Sequence, residues 1–73
     1  MKTIPSIERL RKDDLLVEVD VCWLEDEHPW SPYLAPEDAL RLNDVRMALD
    51  AHDLEKIQHY GGRLYRVTPL AVA

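Results

Sequence analysis

One thiol, three imidazoles and several close-set carboxylates are the residues of this 73-residue chain whose chemistry could be put to use. Cys22 and His28 are the pair from which a nucleophilic thiol could be made, since a neighbouring base must hold the sulfur as thiolate. Cys22, however, alternates with Glu18 and Asp20, and carboxylates beside a thiol oppose its ionisation. His52, Glu55 and His59 have the three- and four-residue spacings that can bring side chains to one helical face. Asp53 starts a new helix inside that run and spoils the register, and neither an HExxH pattern nor a cysteine pair offers a zinc site. Asp13 with Asp14, and Glu25 with Asp26 and Glu27, could supply paired acids, but acids beside turns are ordinarily solvated. Ser31 lies outside any nucleophile-elbow pattern, and a phosphate loop needs more than the two glycines present. The expectation is no catalytic residue, no metal ligand and no cofactor: a protein that is not an enzyme.

Recognition is the better-supported chemistry. The segment 25–36 (EDEHPWSPYLAP) holds three prolines and two aromatics, and proline's fixed φ makes such a connection stiff. Trp30 and Tyr33 have two readings. They plug the end of a small core, or they anchor a partner inside the charged rim of Glu25, Asp26 and Glu27. The charge pattern bears on the choice. Between Asp13 and Leu40 stand nine acids (Asp13, Asp14, Glu18, Asp20, Glu25, Asp26, Glu27, Glu37, Asp38) and no Lys or Arg, within a formal net charge of −5. That stretch serves solubility alone, or it steers a basic protein surface toward the chain. It does not suit direct nucleic-acid binding, which needs a clustered basic footprint. The predicted partner-binding set is Glu18, Asp20, Glu25, Asp26, Glu27, Trp30 and Tyr33.

The elements that must position these residues form one small α+β domain, 1–73. The segment 15–24 (LLVEVDVCWL) alternates Val17, Val19, Val21 and Trp23 with Glu18, Asp20 and Cys22, the period of a half-buried strand. Pro36 followed by Glu37 and Asp38 opens a helix over 36–51. On it, Leu42, Val45 and Leu49 make a core stripe, while Leu40, Met47 and Ala51 make a second stripe on nearly the opposite side. The second stripe needs a cover: the amino-terminal segment, the last helix, or another protein molecule; where that molecule is a second copy, Leu40, Met47 and Ala51 are dimer-interface residues. Asp53 caps a short helix over 54–60, with Leu54 and Ile57 inward, and Gly61-Gly62 ends it. Residues 63–68 form a further strand with Tyr65 and Val67 on its core face and Arg66 available to Glu18 or Asp20. At the amino terminus, Ile4, Ile7 and Leu10 have helical spacing, which favours a short helix over the alternative of a strand leading into a hairpin. The predicted sheet is antiparallel with two to three strands, and edge pairing in a homodimer would enlarge it.

The segments WSPYLAPEDALRL (30–42), VRMAL (45–49) and YRVTPLAV (65–72), preceded by VEVDV, resemble a group of short bacterial proteins of uncharacterised activity. The small acidic chain is also similar in character, though not in motif, to antitoxins that neutralise a basic partner. It lacks the DNA-binding arm many antitoxins carry. One cysteine, no signal-like apolar run and no stretch of about 20 apolar residues predict a cytoplasmic protein. The leading expectation is an antitoxin-like or inhibitor-like binding module, and the second is a homodimeric structural protein.

Overall fold

The computed structural model describes residues 1–71. It is an α+β arrangement in which a four-stranded antiparallel sheet carries one main and one short helix. Strand β1 (Lys2–Lys12) and strand β2 (Leu15–Glu25) form a hairpin paired along its whole length, from Lys12 opposite Leu15 to Lys2 opposite Glu25. Only Asp13 and Asp14 connect them, and Asp13 takes φ 53°. Mirror-image hairpin turns need such a left-handed residue, and aspartate tolerates it better than most. Strand β3 (Tyr33–Leu34) and strand β4 (Arg63–Arg66) both pair with the other edge of β2, at its end and its start respectively.

The amino terminus is thus a strand and not the short helix its apolar spacing favours. In strand geometry Ile4 and Leu10 fall on the core face with Trp23 and Val17, and Ile7 falls on the opposite face. The deciding factor is β2, whose main-chain groups on that edge all need partners. Pro5 is no obstacle. Cys22, opposite Pro5, donates its N–H to Asp38 Oδ2 at 2.7 Å and accepts from the Ala35 N–H at 3.0 Å. Both peptide groups of Cys22 therefore point away from β1. Antiparallel partners face one another or turn away together, so Pro5 directs its missing donor outward, where an edge strand tolerates it.

Helix α1 (Pro36–Asp50) and helix α2 (Leu54–His59) cover one sheet face. Val17, Val19 and Val21 pack there against Leu42, Val45, Ala48, Leu49 and Ile57. The predicted core stripe of α1 is realised, with Ala48 added. The second stripe is not covered: Leu40, Met47 and Ala51 are all exposed, because the segment that might have lain over it is β1. Leu54, expected inward, is exposed as well. Both helices end the same way. Asp53 N–H returns to Ala48 O and His52 N–H to Leu49 O; Gly62 N–H returns to Ile57 O and Gly61 N–H to Gln58 O. These are paired 6→1 and 5→2 closures around a left-handed residue, His52 at φ 54° and Gly61 at φ 86°.

Strand β4 exists, but its faces are shifted by one residue from the expectation. Leu64 lies opposite Val17 on the core side, and Tyr65 opposite Leu16 on the open side. Gly62 sets this phase: a Cβ there would lie 2.7 Å from Ile57 Cγ2 and 2.9 Å from Val17 Cγ1, so the chain enters the strand pressed against the core. Arg63, not Arg66, consequently meets Glu18 and Asp20.

The other sheet face stays open, with Pro5, Ile7, Arg9, Asp20 and Tyr65 exposed on it. The molecule is thin, 50 × 32 × 15 Å, with a radius of gyration of 14.8 Å, against about 11 Å for a compact chain of this length. Replacing Gly62 with Ala should lower stability by about 1–3 kcal/mol through overpacking. Replacing His52 with Gly should raise it by about 0.5–1 kcal/mol, because the left-handed strain is relieved in excess of the entropy added to the unfolded chain. Urea unfolding of the two variants checks both signs.

Candidate functional site

Strand β2 has a gap on the edge shared by β3 and β4, and α1 fills it with side chains. Asp38 Oδ2 accepts from the Cys22 N–H, and the Arg41 guanidinium donates to the Asp20 carbonyl. The two are three residues apart on α1, one turn, and join each other at 3.2 Å. Together they occupy the place a strand would take. Asp38 therefore serves the sheet edge and not only the positive end of the helix.

Beside this gap the open sheet face carries a charge network. Arg63 bonds Asp20 through two nitrogens, at 2.8 and 3.1 Å, and lies 3.8 Å from Glu18. Arg9 reaches Glu18 from the other side at 3.0 Å. The Arg63 hydrogen bond holds the Asp20 carboxyl below its ordinary value, and the charges of Arg63 and Arg41 add to that against partial desolvation. The same contact raises the Arg63 pKa further above its already basic value. At one end, Asp14 is bonded to Arg66 at 3.0 Å. Pro5, Ile7, Arg9, Asp20, Cys22 and Arg41 line a shallow concavity of about 740 Å³, with Asp38 at its helix side. Each of its charged groups is already paired: Arg41 with Asp38, Arg9 with Glu18 and Asp20 with Arg63.

At the opposite end of β2 the connection 26–32 builds a small bonded frame. Asp26 Oδ1 accepts from the His28 N–H at 2.7 Å, His28 Nδ1 accepts from the Trp30 N–H at 3.2 Å, and Ser31 Oγ accepts from the Asp26 N–H at 2.8 Å. The Ser31 N–H closes back on His28 O at 3.0 Å. The Tyr33 hydroxyl donates to Asp26 Oδ2 at 3.3 Å. Burial pushes the Tyr33 phenol above 10.0, and the Asp26 carboxylate pushes it the same way by charge and by accepting its proton in a hydrogen bond. This frame holds Trp30 out in solvent, 78 % exposed, with the His28 ring 6.5 Å away.

The predicted partner-binding residues therefore separate into three groups. Glu18 and Asp20 are tied to Arg9 and Arg63, and stand five to seven residues up the strand from Glu25, roughly 17–23 Å away at the strand rise. Asp26 and Tyr33 are structural members of the loop frame. Glu25, Glu27 and Trp30 remain exposed, and neither glutamate has an ion-pair partner among the described residues. The core-plugging reading of the loop aromatics holds for neither: Trp30 is exposed, and Tyr33 lies opposite Leu24, outside the core cluster, and bonds Asp26. Glu37, outside the predicted partner-binding set, is also exposed at the start of α1, with no ion-pair partner among the described residues, and its place beside Pro36 was the available signal. His52 occupies the turn before α2 while His59 is the last residue of α2, so the two do not share a helical face. No family model matches the chain, and neither a curated protein nor a solved structure shows a significant match.

Two pH effects follow. A lowered carboxyl pKa stabilises the fold above the unfolded value and loses that contribution as pH falls through the folded one. Urea midpoints should therefore drop below about pH 4, and Arg63→Gln should flatten the part of that drop due to Asp20. A raised phenol pKa stabilises the fold below the unfolded value and loses that contribution as pH rises through the folded one. In ring-labelled protein followed by NMR, Tyr33 should ionise above the free amino acid, and Asp26→Asn should bring it down.

Proposed function

We propose that this protein is a non-catalytic, acidic binding module, antitoxin-like or inhibitor-like, which takes a basic protein segment at the tip of the sheet. Trp30 supplies the contact face, and Glu25 and Glu27 supply the unspent charge beside it. The observation that carries this reading is Trp30, a large aromatic side chain held outside the core by a loop whose polar groups bond to one another. A loop whose main chain is fixed before binding loses little backbone entropy on contact, and an indole face attracts Arg and Lys cations. Unpaired glutamates around it raise the rate of encounter with such a partner. The internally paired acids, Glu18 and Asp20, are left out of the contact set, and Asp26 and Tyr33 act through the shape of the loop.

An arginine-rich peptide titrated into the protein is a direct probe. Trp30→Ala should weaken its binding about tenfold or more, as expected for an aromatic anchor. Glu25→Lys with Glu27→Lys should slow association strongly and reduce its salt dependence. Equal binding by the parent and both variants would exclude this surface.

A second reading is a homodimeric assembly protein. It is favoured by the thinness of the molecule and by the exposure of Leu40 and Met47 on α1. A dimer mass in light scattering is the expected result, and a dimer that Met47→Glu leaves intact would exclude the helix face as its interface.

A further inference from the structure

The free edge of β1 is the longest unpaired row of main-chain groups that the pairing pattern leaves, and its residues complement themselves. Because Cys22 and Asp20 turn their peptide groups toward α1, their partners Pro5 and Ile7 turn theirs outward, and so by alternation do Thr3, Arg9 and Arg11. The edge thus offers donors and acceptors at Thr3, Ile7, Arg9 and Arg11 and an acceptor alone at Pro5. Ile7, at the middle of this row, is 41 % exposed. Ile4 and Leu10, on the helix-bearing face, are only partly buried.

We infer that two copies of this chain join through antiparallel pairing of their β1 edges, with the two-fold axis at Ile7, making one continuous eight-stranded sheet. This deepens the homodimeric reading by locating the interface, and it places that interface away from Leu40 and Met47. Those two lie two helical turns apart, with Asn43 and Asp44 between them, and form no continuous apolar strip.

The register follows by elimination. An axis at Arg9 would set two guanidinium side chains directly opposite one another, and an axis at Glu8 would do the same with two carboxylates; directly opposed like charges destabilise a sheet. An axis at Pro5 would face two residues without N–H groups. An axis at Ser6 would put Glu8 against the partner's Ile4. The axis at Ile7 instead sets Ile7 on the partner's Ile7, Ile4 on the partner's Leu10 and Ser6 on the partner's Glu8. It forms about eight backbone hydrogen bonds, the two losses both falling at Pro5. The remaining like pair, Lys2 with the partner's Lys12, lies at the fraying ends beside Glu25.

Charge complementarity supports a second copy as the occupant. The edge strand is basic at its hairpin end, with Arg9, Arg11 and Lys12, while Lys2 at its amino-terminal end lies opposite Glu25 of β2. Antiparallel pairing brings the Arg11 and Lys12 end of each copy toward Glu25 of the other, whose carboxylate offsets the opposed Lys2 and Lys12.

Light scattering and amide hydrogen exchange on the unmodified chain, with Ile7→Lys as the variant, test the interface. The expected result is twice the chain mass at high concentration, with the Thr3, Ile7, Arg9 and Arg11 amides protected there and unprotected on dilution. Ile7→Lys should return a folded monomer. A monomer at every concentration would overturn both the interface and the homodimeric reading. A dimer in which those four amides exchange freely, or which Ile7→Lys leaves intact, would overturn this interface alone. Because the exchange measurement needs no variant, a failure of Ile7→Lys to fold leaves the test in force.

Discussion

Strand β2 is the one element to which every other strand is bonded. One edge is taken up entirely by β1, and the other is divided among β4, the Asp38 and Arg41 side chains of α1, and β3. One face supplies the valine row of the core, and the other supplies Glu18 and Asp20 to the arginines. A main-chain group left unpaired next to a core is expensive. The demands of this one strand therefore decide that the amino terminus extends instead of coiling, and that the first turn of α1 docks on the sheet edge.

The electrostatics follow from the same arrangement. Exposed ion pairs add little stability each, and the Arg9, Glu18, Arg63 and Asp20 group lies on an open face. Its consequence is mainly one of direction: β4 is aligned against β2, and two of the carboxylates that might have met a partner are already matched. Within the acid-rich stretch 13–40, Glu25, Glu27 and Glu37 are exposed with neither an ion pair nor a side-chain hydrogen bond among the described residues. Asp26 sits among them, but its two oxygens are engaged in holding the loop.

Much of the fold was legible from pattern. The alternation of Val17, Val19 and Val21, the Pro36-Glu37-Asp38 start of α1, the Asp53 cap, which accepts from the Lys56 N–H, and the Gly61-Gly62 ending all carry local physical causes that survive in the folded chain. What was not legible depended on partners distant in sequence. Ile4, Ile7 and Leu10 fit a helix as well as a strand until β2 requires a neighbour. The face of β4 turns on Gly62 packing against Val17, a contact that no period within 63–68 encodes. The site was legible to a similar degree. The loop and its tryptophan could be marked from composition, though not the exposure of the indole, and the division of the acids into matched and unmatched sets arises only when Arg63, forty-three residues from Asp20, is brought beside it.

The proposed recognition site is the tip of the sheet, away from the charge network at its middle. Mapping an arginine-rich peptide onto the isotope-labelled, unmodified protein by NMR tests that claim most directly. The expected shifts centre on the Trp30 indole and on Glu25 and Glu27, with the Asp20 and Arg63 signals unmoved. Shifts centred on Glu18 and Asp20, or none anywhere, would contradict it.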